Sequence, residues 1–199
     1  MPLSTPTPRK LMHTRVVTCK GYLREDDLWD IEGNMVDTKP YRFENIDRGG
    51  HIEADEALHG MWIRLTVNDQ LKIIDAEAST DFAPYTFCPR ITPAYKQLIG
   101  LSLGKGWNSK VRQLLKGTEG CTHLTELLGP MATTAFQTVF SGRNEGRKVE
   151  GKAEMGIQPS QRPLLLNTCH SYAPTSPVIL RHWPDHYTGD QADIDNPSK

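Results

Sequence analysis

The sequence has no Cys-x-x-Cys pair, no uninterrupted apolar run near the ~18 residues of a membrane-spanning helix, and no excess of either charge. Each absence removes a class of function. Four cysteines (Cys19, Cys88, Cys121 and Cys169) in 199 residues are too sparse for the disulfide scaffold of a small secreted domain. Reduced thiols are left with packing, metal ligation or nucleophilic chemistry. The first ten residues, MPLSTPTPRK, lack the apolar centre of an export signal, so the expected location is the cytoplasm, with no membrane partner. With 23 Lys+Arg against 24 Asp+Glu the net charge is −1, and no whole-protein field attracts nucleic acid. No nucleic-acid partner is expected.

The first half carries the period of strands. Segments 15–22 (RVVTCKGY) and 28–37 (LWDIEGNMVD) are rich in β-branched and aromatic residues, with the polar 24–27 between them as a hairpin loop. Trp29, Ile31 and Met35 alternate onto one face, and Gly33 reads as a bulge. A polar excursion over 39–58 follows. Segments 61–67 (MWIRLTV) and 71–79 (LKIIDAEAS) then flank Asn68-Asp69-Gln70, where Asn and Asp tolerate left-handed backbone. Near residue 90 the period becomes helical. Tyr95, Leu98 and Ile99 share one face, Val111, Leu114 and Leu115 another, and Leu124, Leu127, Leu128, Met131, Ala135, Phe136 and Val139 form a wide stripe opened by Thr122 as cap. Pro130 inside that stripe predicts a kink or a restart. The expected fold is α+β, an antiparallel sheet of about four strands with the helices of 90–140 on one face. The expected organisation is a flexible arm over 1–12, one domain over 13–187 with a mobile connection at 141–160, and a tail over 188–199.

Several motifs resemble those of a bacterial family of unknown function: LWDIEGNMVDTKPY (28–41), HGMWIRLTVND (59–69), the Pro-Tyr before Cys88, GCTHLTELL (120–128) and NTCH (167–170). The resemblance implies kinship over about residues 15–187 and brings no activity with it. A second likeness covers about 59–140. His59 before paired strands, Cys88 after the second strand and Cys121 opening a helix resemble the ordering in NifU-type iron–sulfur scaffold proteins. That resemblance implies a scaffold-like α+β fold in which His59, Cys88 and Cys121 bind zinc or iron. The first scaffold cysteine falls here on Ala57, so three ligands remain of the family's set.

The residues themselves support that chemistry in part. Cys121 lies at a predicted helix start, where unpaired N–H groups favour thiolate. His123, two residues on, reaches the same ion only if Cys121 stands outside the helix. Cys88 sits at a strand-to-helix junction, and either Cys169 or His170 could complete the shell. Thiolate with imidazole selects zinc or iron over magnesium or calcium. A bland account competes at each position: free cysteines are commonly buried hydrophobes, and single histidines are commonly solvated. Two weaker signals are set aside. Lys105 in GLSLGKGW lacks the spacing of a phosphate loop, and the carboxylates Asp26, Asp27, Asp30, Glu32 and Asp37 read as a solvated sheet face. The leading expectation is therefore a metal-binding protein with a Cys/His site from His59, Cys88, Cys121 and His123, in a scaffold-like or accessory role. The alternatives are a small-molecule enzyme, either a thioesterase or acyl transferase with Cys121 as nucleophile and a histidine such as His123 as base, or a metal-assisted hydrolase. The third class is a metal-free adaptor whose 122–139 helix and exposed tryptophans dock a protein partner.

Overall fold

The computed structural model describes residues 3–149 and 165–189. The chain divides into two compact units, 1–151 and 152–199, each described on its own. In the first, strands β1 (Thr14–Leu23) and β2 (Trp29–Thr38) form the expected hairpin. The excursion read as a loop contains a small second hairpin, β3 (Phe43–Asn45) and β4 (Gly50–Ile52), turned at Gly49 and Gly50 with φ of 79° and 103°. Three residues per strand are too few for a period of two to show in sequence. Strands β5 (Ala57–Val67) and β6 (Ile73–Phe82) complete a four-stranded antiparallel sheet of order β1-β2-β5-β6. Asn68 holds the β5–β6 reversal by accepting from the N–H groups of Gln70 and Lys72 (3.0 and 2.9 Å). The left-handed residue there is Leu71 (φ 58°), whose side chain is drawn into the core.

The segment over Cys88–Leu98 is a 3-10 helix carrying Pro89 and Pro93, followed by α1 (Trp107–Leu114) and α2 (Thr122–Val149). α2 runs through Pro130 as one helix, because Leu127, Leu128 and Met131 on either side of the proline are all buried in the same core. Residues 141–149, expected to belong to a connection, continue this helix, and the rest of that stretch to 160 lies outside the described residues. The apolar stripe is spent internally: Leu124, Leu127, Leu128, Met131, Ala135 and Val139 join the sheet residues Ile31, Met35, Met61, Ile63 and Leu65 in one core. Phe136 of the stripe is only partly buried against that core and stacks on Phe140, and of the expected exposed tryptophans Trp29 and Trp107 are buried while Trp62 is exposed. Among the described residues, no helix is long and apolar enough to cross a membrane.

Gly33 is not a bulge. The registers of β1 with β2 and of β2 with β5 run evenly past it. A Cβ at Gly33 would stand 2.6 Å from Met131 Sδ and 2.8 Å from its Cγ, and a Cβ at Gly21 would meet Thr138, so glycine lets α2 lie close on β1 and β2. Gly33→Val is expected to cost about 1–3 kcal/mol by overpacking, read by chemical denaturation, whereas Asn34→Val on the half-exposed face should cost less, losing one hydrogen bond from Asn34 Nδ2 to the Met61 carbonyl (3.1 Å). Equal effects would show that α2 does not depend on this close approach.

The second unit contains a 3-10 turn (His170–Tyr172), a short helix α3 (Pro177–His182) and a further turn (Pro184–His186). Ser176 caps α3 by accepting from the Ile179 N–H, with Pro177 at the first helical position.

A candidate metal centre at one end of the sheet

Three strands bring one row of side chains together. In the sheet register Arg15 lies opposite Asp37, and Asp37 lies opposite His59. Asp37 faces inward because β2 alternates: Trp29, Ile31, Gly33, Met35 and Asp37 are the buried face, and Asp37 is fully buried. The β2–β5 register shifts between Asp37 and Thr38, and the β5–β6 register shifts between Gly60 and Met61, so irregular pairing brackets His59. Bulges of this kind re-aim side chains at the ends of sheets.

α2 supplies the rest. Tyr95 pins its start: the Tyr95 hydroxyl accepts from the Cys121 N–H (3.1 Å) and donates to the Cys121 carbonyl (3.0 Å), with Thr125 Oγ1 at 2.9 Å. Cys121 stands just outside the helix, and its carbonyl accepts the first-turn N–H of Thr125 (2.9 Å). His123 in that turn stacks on His59, with ring centroids 3.8 Å apart and a 31° tilt. One turn on, Glu126 pairs with Arg15.

Asp37 is the hub. Its Oδ1 accepts from Arg15 Nε (2.8 Å) and stands 3.3 Å from His13 Nε2, and its Oδ2 accepts from Arg15 Nη2 (2.8 Å) and contacts His59 Nδ1 (2.9 Å). Burial pushes the Asp37 carboxyl up, but the bidentate Arg15 and the His59 contact outweigh it and hold its pKa at about 2. Without an ion, His59 Nδ1 donates to the ionised carboxylate, and an ion shared with Asp37 would displace that proton and bond Nδ1. Burial lowers the pKa of both His59 and His123. Proximity to His123 adds to the effect on His59, and Arg15 adds to it on His123. One ligand atom each from Asp37, His59 and His123 lies within 4.8 Å of the other two.

These shifts have a consequence for stability. Below the ordinary histidine value of 6.5 the unfolded chain takes up protons that folded His59 and His123 decline. Between 3.8 and about 2 the unfolded Asp37 does the same. The unfolded state therefore binds more protons in both windows, and stability falls as pH falls through each. Denaturation of chelator-treated protein is expected to show lower stability at pH 5 than at pH 7.5, less steeply in His123→Gln; constant or rising stability on acidification would contradict the assignment.

Of the four ligands expected from sequence, His59 and His123 are brought together. Cys121 Sγ is 4.0 Å from His123 Nδ1 but is not a member of the three-ligand group. Cys88 opens the 3-10 segment, its N–H bonded to the Tyr85 carbonyl (3.1 Å), and also lies outside the group. It stands seven residues before Tyr95, about 14 Å at the rise of a 3-10 helix. Cys169 and His170 lie in the second unit, where Cys169 is exposed and precedes the 170–172 turn. The candidate donor absent from the sequence expectation is Asp37, which reads there as a solvated carboxylate although the alternation that buries Trp29, Ile31 and Met35 places residue 37 on the same inward face by count.

No curated protein and no solved structure matches the chain. A family profile matches residues 13–137, a span that holds the whole sheet, His13, Arg15, Asp37, His59, Cys121, His123 and Glu126. The NifU-type likeness is not part of that match. On this span the chain belongs to the family DUF2889, described as a protein of unknown function.

Proposed function

We propose that this protein binds one divalent transition metal, zinc or ferrous iron, on Asp37, His59 and His123, and serves in the cytoplasm as a metal-binding accessory protein. The observation that carries the reading is the convergence of the three donor atoms, each within 4.8 Å of the others and each from a different element: β2, β5 and α2. Imidazole with carboxylate is a donor set for zinc or iron, whereas magnesium and calcium favour all-oxygen shells. Arg15 holds the Asp37 carboxylate in orientation, the outer-shell support that ligating groups require. Where such an ion keeps an open position it can polarise a bound water. Elemental analysis of protein purified without chelator is expected to find about one equivalent of zinc or iron per chain, removable by chelator and restored on titration. Protein that neither carries nor takes up either metal would defeat the reading.

A second reading has its own observation, the Cys121 thiol 4.0 Å from His123 Nδ1. A thiol beside an imidazole is the composition of a nucleophile with its base, suited to acyl transfer from a small thioester. On that reading, alkylating Cys121 abolishes thioester turnover and chelator leaves it intact.

A further inference from the structure

We infer that His13 is a fourth protein ligand to the ion held by Asp37, His59 and His123, which makes the centre a closed, tetrahedral three-histidine, one-carboxylate site suited to zinc. The inference rests on the metal-binding reading above and adds to it a residue and a coordination number.

The geometry comes from the register of β1. The β1–β2 ladder ends at Thr14 opposite Thr38, so His13 lies one residue beyond it, on the same side of the strand as Arg15 by alternation. Arg15 clamps that strand end with two bonds to Asp37, which brings the diagonal neighbour His13 within reach of the same carboxylate. His13 Nε2 stands 3.3 Å from Asp37 Oδ1. Zinc bonds of about 2.0–2.1 Å to nitrogen and oxygen in a tetrahedron place neighbouring ligand atoms about 3.3 Å apart, so the pair is already at the spacing of two ligands on one ion. The His13 side chain is 42% exposed, against 10% for His59 and 1% for Asp37. His13 stands outside the three-ligand group, so joining it takes a reorientation of this exposed ring toward His59 and His123.

Asp37 has room for this arrangement without losing Arg15. Its Oδ2 is engaged by Arg15 Nη2 and His59 Nδ1, and Oδ1 by Arg15 Nε, while the remaining approach to Oδ1 is the one His13 occupies. An ion shared by Asp37, His13 and His59 replaces the His13 contact and the proton between Asp37 and His59 Nδ1, while both Arg15 bonds remain. Four protein ligands leave no position for a reactive water, which turns the centre from a hydrolytic site into one that ties the entry to β1 to β2, β5 and α2.

Cobalt(II) reports coordination number directly, because its visible bands are intense in four-coordinate sites and weak in five- or six-coordinate ones. Wild-type protein loaded with cobalt is expected to show the intense spectrum. His13→Ala, an exposed change at a strand's lead-in, is expected to collapse the bands several-fold at saturating cobalt and to weaken zinc binding by at least about tenfold in competition with a chromophoric chelator. His51→Ala, on the β3–β4 hairpin, should leave both unchanged. Weak cobalt bands in the wild type, or spectrum and zinc affinity unaltered in His13→Ala, would overturn the fourth ligand while the three-ligand centre stands. Failure of the wild type to bind cobalt or zinc at all would overturn both.

Discussion

Replacing His59 or His123 with alanine is expected to lower bound zinc or iron from about one equivalent per chain to background, with the loss measured by elemental analysis after gel filtration. Each imidazole supplies one of three converging donors, and without it only Asp37, one imidazole and the exposed His13 remain, too few to hold the ion through gel filtration. The fold should survive both changes. The α2 stripe and the sheet's apolar face form the core independently of the two rings, and Asp37 keeps both Arg15 bonds when His59 is removed. Circular dichroism therefore has to accompany the metal assay, and a folded variant without metal is the expected outcome. Cys88→Ser is the control that separates this centre from the thiolate site suggested by spacing: it should retain full metal, since Cys88 lies outside the group. Full metal in both histidine variants, with loss in Cys88→Ser, would reverse the assignment.

Asp37→Asn is expected to be the most destabilising single change at the site, about 3 kcal/mol in chelator-treated protein. The carboxylate is fully buried and accepts from Arg15 twice, so an amide in its place leaves a guanidinium without its counter-charge and turns an NH₂ toward it. The value sits at the low end of about 3–5 kcal/mol for breaking a buried pair, because Arg15 is one-third exposed and keeps Glu126. For a chain of this size the corresponding drop in Tm is about 6–12 °C. Glu32→Gln, five residues earlier on the outward face of β2, where Arg64 pairs with it in solvent, should cost under about 0.5 kcal/mol. Similar losses for the two variants would mean that Asp37 is not the hub of a buried network. Asp37→Asn should also abolish metal uptake, which separates it from Gly33→Val, where the loss is one of packing alone.

The two largest effects fall on residues that were unequally legible in the sequence. The strands over 14–38 and 57–82, the helical turn of the chain after residue 90 and the stripe of α2 follow from local periodicity, because a strand repeats every two residues and a helix every 3.6, whatever they pack against. The inward aspect of Asp37 was legible in the same way, by counting on from Trp29, and was overlooked because a carboxylate is ordinarily solvated. His59 and His123 were identified as candidate ligands, but as partners of thiols. Their actual partner depends on which residue of β2 pairs with residue 59, a register set by long-range hydrogen bonds and by irregular pairing at both ends of the 57–60 segment. The helix start that carries His123 is placed by the hydroxyl of Tyr95, 26 residues away from Cys121 in sequence. Sequence by itself therefore determined the elements, their order and the candidate donors, since these rest on neighbours along the chain. Only the tertiary structure brought two histidines and one buried aspartate together at one end of the sheet, because strand register and helix seating are set by contacts between residues far apart in the chain.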